Sequence, residues 1–483
     1  MDDLRVLIAR LGWPIPASRW WTMQELAKRL GAPGTQAETE AALLKLLHSC
    51  KLEAEVVEAL CVFWMAAGEH GYVPNPDLPN RTPKPSLLSN LFLENLGFEA
   101  QALDADLKAA PKDFQISGDF DGVQGGDVAR IFRTTLTRLE LRTKLPLIRQ
   151  MAFEWAQNRT TYSEAPLQGD TWHFARPLGK GFVGPYSARA ALRAISAYLR
   201  TLVVAERLWE LPSGVVRHFA LKALPIHPTL AALRPLRPAW MPVQWDFSGD
   251  PSSIEEILRG VVHRVAAERP GDELIVLCTP VEMTMERCVE VSLVRWLQAG
   301  ESKVADQDLP AHLESFWHDM PMLPSVPTTP LDRKTWLETV PIDQLLDNPS
   351  ASLPLAARID LDRMGYLQLN LYPSRLFVPT LVGTGQTEVR QVGSTLEVLV
   401  DELVVANYAH WNAGWGPVRP GPLSGVCGAA LVSRGTKYRK IAAAEGHVVR
   451  SFYLWQVRLL HRSNTYDEFE ETLKSGIVSR DVV

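Results

Sequence analysis

Apolar positions recur at helical spacing through the first part of the chain. Leu26, Leu30, Leu43, Leu44, Leu47, Val56, Leu60 and Phe63 predict helices over 1–110, with a loop where Pro74, Pro76, Pro79, Pro83 and Pro85 cluster. A second helical stretch is predicted from about 127 to 210, with breaks near Pro146 and between Gly169 and Gly184. Residues 211–245 then carry Pro212, Pro225, Pro228, Pro235, Pro238 and Pro242 and read as a long surface connection.

The pattern changes after that connection. Val243, Trp245 and Phe247 alternate as a strand does, Ser252 to Glu268 has helical period, and Leu274–Cys278 is a short continuous apolar run of the buried-strand kind. Thr279-Pro-Val-Glu282 has the form of a capping box, which predicts a new helix from Thr279. Pro321, Pro324, Pro327 and Pro330 recur every third residue, the period of polyproline II, and predict a stiff linker. Alternation at Tyr366–Leu371 and Leu396–Val400 predicts strands within 353–410, and the tail reads as helix at 448–461 and 467–475. No internal repeat of 20 to 50 residues is evident.

These patterns predict a multidomain α+β chain with a helical N-terminal half, a small α/β segment in the middle, and a β-rich C-terminal domain ending in helices. The expected boundaries are a helical domain at 1–115, a basic helical domain at 116–240, and an acidic α/β segment at 241–320. A Pro-rich linker at 321–330 and a β-rich domain with C-terminal helices at 331–483 complete the expectation.

Composition adds exclusions. Hydrophobic residues make up 46% of the 483, which is globular rather than disordered composition. Five cysteines (Cys50, Cys61, Cys278, Cys288, Cys427) cannot build a disulfide framework, and none has zinc-ligand spacing. The start, MDDLRVLIARLGWPIP, lacks the basic and apolar regions of a signal peptide, and no run of 18 apolar residues occurs. A reducing cytoplasmic location without membrane contact is therefore expected.

Charge changes the picture more. The formal net charge of −5 conceals segregation: 17 Lys/Arg against 6 Asp/Glu over 128–240, 9 against 20 over 241–360, and 7 against 1 over 430–463. Such asymmetry suggests a charged partner. Within the first basic block, Arg189, Arg193, Arg200 and Arg207 fall within about 40° of one another on a helical wheel, beside a face of Leu192, Ile195, Leu199, Leu202 and Val203. Guanidinium groups along an edge suit phosphate, which they grip in two places. Arg434, Lys437, Arg439 and Lys440 around Tyr438 are a second basic cluster.

Enzyme motifs are incomplete. Gly179-Lys-Gly-Phe-Val-Gly184 matches a dinucleotide loop, but Pro177 interrupts the strand such a loop requires and Ser187–Arg207 reads as continuous helix. Asp119-Phe-Asp121-Gly-Val123 resembles the first motif of haloacid-dehalogenase-type phosphohydrolases, without the apolar strand that delivers it there. Trp20–Gly31 resembles the first helix and turn of a helix-turn-helix unit, yet the next helix offers Glu38 and Glu40 where donors are needed. There is no GxxxxGK[ST], HExxH or GxSxG.

The expectation is a non-catalytic nucleic-acid-binding or scaffolding subunit of a bacterial-type cytoplasmic complex, without cofactor or metal. Its phosphate contacts fall to Arg189, Arg193, Arg200 and Arg207, with Arg434, Lys437, Arg439 and Lys440 second, and other proteins as further partners. Two alternatives stand beside it. One is a metal-dependent hydrolase or nucleotide-binding enzyme on the α/β segment, with Asp246, Gly249 and Asp250 at a strand end. The other is a purely protein-binding scaffold.

Overall fold

The structure is a computed structural model. It describes residues 3–13, 16–103, 106–118, 120, 130–161, 189–242, 251–284, 286–299, 311, 325–327, 331–337, 352–360, 365–367, 375–379, 386–411, 427–435, 449–463 and 468–478. The architecture is mixed α+β, with helices in the N-terminal half and a large antiparallel sheet in the C-terminal half. Two compact units are formed: 1–232 with 329–331 and 362–371, and the remainder from 233.

The first unit is built on α1 (Asp3–Arg10), α2 (Pro16–Gly31), α3 (Gln36–Ser49), α4 (Glu53–His70), α5 (Leu87–Asn95), α6 (Arg130–Thr143), α7 (Leu147–Thr161), α8 (Arg189–Arg207) and α9 (Ser213–Ala220). Every residue of α4 from Ala54 to Ala66 except Glu55 is buried, so α4 is surrounded by α2, α3, α5 and α8. A helix hydrophobic on all sides belongs in the centre. Its first turn is closed on two sides: the Glu55 carboxylate accepts from the Lys51 and Leu52 N–H groups, and the Ser196 hydroxyl of α8 accepts from Ala54 N at 3.0 Å. Gly31, at the end of α2, lies so close to α4 that an added Cβ would stand 2.2 Å from His70 Cβ. The glycine that resembles part of a DNA-reading turn is thus required by helix packing.

After α9 the chain runs through a buried stretch. His227 Nδ1 accepts from Thr229 N at 3.3 Å, which requires the neutral ring, and burial lowers the imidazole to about 4. The unfolded chain takes up this proton near pH 6.5 whereas the folded chain does not, so stability is lost as pH falls from 6.5 toward 4. The whole interval corresponds to about 3 kcal/mol. Urea unfolding at about pH 7.5 and about pH 4.5 measures it: His227→Asn, which keeps an acceptor but cannot ionise, is expected to lose markedly less stability over that range than the wild type.

The second unit starts from α10 (Pro251–Glu268), followed by a sheet whose order is β13-β12-β2-β1-β11-β10-β9-β8-β4-β3, with a further strand, β5, pairing β2. The long members are β1 (Glu273–Met283), β2 (Arg287–Ala299), β10 (Leu403–Trp411), β12 (Val449–Arg462) and β13 (Phe469–Ile477). The shorter ones are β3 (Ser325–Pro327), β4 (Lys334–Leu337), β5 (Ser352–Pro354), β8 (Thr387–Val392), β9 (Thr395–Val400) and β11 (Gly428–Ser433). Ile254, Leu258, Val261, Val262 and Val265 of α10 pack with Val289, Val291, Leu293, Tyr453, Trp455 and Val457 of the sheet. A separate pair, β6 (Ala356–Asp360) with β7 (Arg375–Pro379), packs against β10 and β11 through contacts that include Phe377 with Tyr408.

Three local expectations are corrected. The capping-box tetrapeptide lies inside β1, with Thr279 opposite Val291 and Pro280 opposite Glu290; a bulge between Pro280 and Glu282 accommodates the proline. The tail predicted as helices at 448–461 and 467–475 is the strand pair β12–β13. Around Phe452–Trp455, β12 is buried on consecutive residues, so strand alternation is hidden there. Inside the Pro-rich stretch, Ser325–Pro327 pairs with Thr335–Leu337 as strand β3 rather than standing free. The strand read at 243–247 lies outside the described residues.

Candidate nucleic-acid interface

Helix α8 carries the arginine stripe, and its surroundings decide what the stripe can touch. From Ala191 to Ala205 every residue except Arg200 is buried, because α8 packs against α4, α5, α7 and α9. Arg193 is 1% exposed. Its Nε donates to Asn158 Oδ1 at 3.0 Å, its Nη2 to the Trp155 carbonyl at 2.8 Å, and its guanidinium carbon lies 4.4 Å from the centre of the Trp155 ring. Arg200 bridges two carboxylates, Glu154 at 2.8 Å and Glu53 at 3.3 Å. Burial pushes the Glu53 carboxyl above its usual range, with Arg200 opposing that rise. Arg207 is exposed in the last turn, and Arg189 opens the helix. The four arginines therefore share a helix face but not a continuous solvent edge, since the two central ones are bound to α4 and α7.

The second cluster is mostly outside the described residues: Lys437, Arg439 and Lys440 all fall there. Arg434 donates from Nε to Asn407 Oδ1 at 2.7 Å and lies 3.8 Å from the Glu397 carboxylate, which Arg390 also approaches at 3.2 Å.

Exposed basic surface is found instead on α6. Arg133, Arg138 and Arg142 are exposed there, and Lys144 follows at a φ of +62° with its N–H donating to the Glu140 carbonyl at 2.8 Å. Arg138 and Arg142 make no ion pair or hydrogen bond among the described residues. The nearest carboxylate in sequence, Glu140, is engaged elsewhere, its Oε2 accepting from Ile148 N at 3.1 Å at the start of α7. Close by, Arg149 donates to the carbonyl of exposed Lys112 at 3.2 Å. A helical wheel passes over α6 because its arginines do not align on one position. The signal that marks it is density, with six Lys/Arg against one Asp/Glu over 130–149.

The catalytic alternative gains little geometry. Asp246, Gly249, Asp250, the Gly179–Gly184 loop, Asp119 and Asp121 lie outside the described residues. β1 and β2 run antiparallel, so they do not form the crevice at the ends of parallel strands that such an enzyme uses. On one face of the sheet, burial and the Glu290 carboxylate raise the Cys278 thiol to about 12, and the same causes raise Cys288. Cys427 is raised by burial, by Cys288 and by Glu290. Thiols held protonated are poor nucleophiles and poor metal ligands. Among the described residues no group of three or more His, Cys, Asp or Glu is arranged to hold a metal ion, and no helix is long and apolar enough to cross a membrane. In the helix-turn-helix-like α2–α3 pair, Glu40 accepts from the Tyr72 hydroxyl and from Asn75 Nδ2 at 3.1 Å, an internal structural role.

No family model matches the chain, and no curated protein matches its sequence. The functional reading therefore rests on geometry and charge alone.

Proposed function

We propose that the chain is a non-catalytic nucleic-acid-binding subunit whose phosphate contacts are made from α6, not from the middle of α8. The observation that carries this reading is the pair Arg138 and Arg142. They stand four residues apart, about 40° around the helix and about 6 Å along it, exposed and without a carboxylate partner among the described residues. Like charges at this spacing destabilise a helix by a few tenths of a kcal/mol, a cost that a bridging phosphate removes. Arg133 stands about 180° around the helix from Arg142 and belongs to a different face. Backbone contact of this kind positions a protein on nucleic acid without reading bases.

Fluorescence anisotropy with single- and double-stranded DNA and RNA across a salt series tests the reading. If both arginines contact phosphate, the double variant Arg138→Gln/Arg142→Gln is expected to flatten the slope of log K against log salt by about 1.4–1.8. Both side chains are exposed, so the fold is retained. Absence of wild-type binding at about 50 mM salt, or an unchanged slope in the variant, overturns it.

A further inference from the structure

Strand β13 ends the large sheet as a long, regular edge. Its nine residues pair with Leu454–Arg462 of β12 without any shift in register, and among the described residues no strand pairs its other edge. Short length, proline and a bulge are absent from β13, and its edge protection is limited to the charges of Glu470, Glu471 and Lys474. At the opposite end, β3 is three residues long and finishes in Pro327. Apolar side chains accompany the open backbone: Phe469 is 53% exposed and Leu473 is 55% exposed.

We propose that β13 pairs antiparallel with β13 of a second copy of this chain, about a two-fold axis at Leu473. Three features of the strand select that partner and that register. An axis perpendicular to the sheet keeps the helix-covered faces of the two copies on the same side, so residues that face each other must have the same parity. Among such registers, only the one centred on Leu473 pairs all nine residues. It sets Phe469 opposite Ile477, Glu470 opposite Gly476, Glu471 opposite Ser475, Thr472 opposite Lys474, and Leu473 opposite its own copy. No like charges meet directly. Each Lys474 lies diagonal to the other copy's Glu470 and to the other copy's Lys474, so two opposite-charge diagonals stand against one like-charge diagonal, and the two exposed leucines cover one another.

The register makes position 472 sensitive to the sign of an added charge. Sedimentation velocity of the full chain over a range of micromolar concentrations is expected to show a monomer–dimer equilibrium. Thr472→Lys places a second lysine opposite Lys474 at two symmetric points and is expected to weaken dimerisation roughly 5- to 30-fold. Thr472→Glu places a carboxylate there and is expected to tighten it several-fold. Thr472 is exposed, so neither variant disturbs the core. A wild type that is monomeric at every concentration overturns the proposal, as does a dimer that responds equally to both variants or to neither.

Discussion

Glu58→Ala is expected to lower the unfolding free energy by about 3–5 kcal/mol, the range seen when one partner of a buried ion pair is removed. Glu58 of α4 and Arg19 of α2 are buried and paired, and the Tyr366 hydroxyl donates to the same carboxylate oxygen. Burial and the Glu58 carboxylate raise the Tyr366 phenol well above its ordinary value, so it remains a donor. Truncation at 58 leaves a guanidinium and a phenol turned toward a void. Graded variants separate the charge from the volume. Glu58→Gln keeps an acceptor and should cost less, while Tyr366→Phe removes one donor and should cost about 1 kcal/mol. Guanidinium chloride unfolding at neutral pH gives the order directly, and a loss under about 1 kcal/mol for Glu58→Ala would falsify the buried-pair account.

Arg193→Leu is expected to destabilise by about 3–4 kcal/mol and to leave the salt dependence of the proposed nucleic-acid binding unchanged. The replacement fills much of the space but leaves Asn158 Oδ1 and the Trp155 carbonyl without the donors they now have, and it removes the stacked cation. Had Arg193 faced phosphate, the opposite result would hold, with an intact fold and a flatter salt slope. The α6 double variant should behave in that opposite way. Running both proteins through the same unfolding and anisotropy measurements therefore separates an internal arginine from a surface one.

The difference between those two kinds of arginine is not legible in the sequence, for a definable reason. Helical periodicity places Arg193 and Arg200 on a shared face correctly, since it depends only on local spacing. Whether that face meets water depends on α4 and α7. Arg200's carboxylate partners are 147 and 46 positions away, and no local pattern announces them. The first helices, the helix at 251–268, the run at 274–278 inside β1, and β9 are all legible, because one period dominates each. The tail is not. In β13 the letters EExxK fit a solvated helix as well as an exposed edge strand, and only pairing with β12 decides between them. Thr279-Pro-Val-Glu282 misleads for a related reason: a proline at the first turn of a helix and a proline at a bulge look alike until the neighbouring strands are in place. Tyr366–Leu371 alternates as a strand would; its first two residues form a turn whose N–H groups donate to the Leu224 and Pro225 carbonyls, and 368–371 lie outside the described residues.

That turn has a consequence for the order in which the protein is made. The helical unit includes residues 362–371, so it is incomplete when Ala232 leaves the ribosome. Tyr366 follows roughly 130 residues later, which at about 5–20 residues per second is a delay of about 7–27 s. During that interval the nascent helices hold the Arg19–Glu58 pair without its phenol, and the 224–225 carbonyls without their donors. Much of the sheet unit is synthesised in the same interval, so vectorial synthesis interleaves the maturation of the two units instead of finishing one before the other begins.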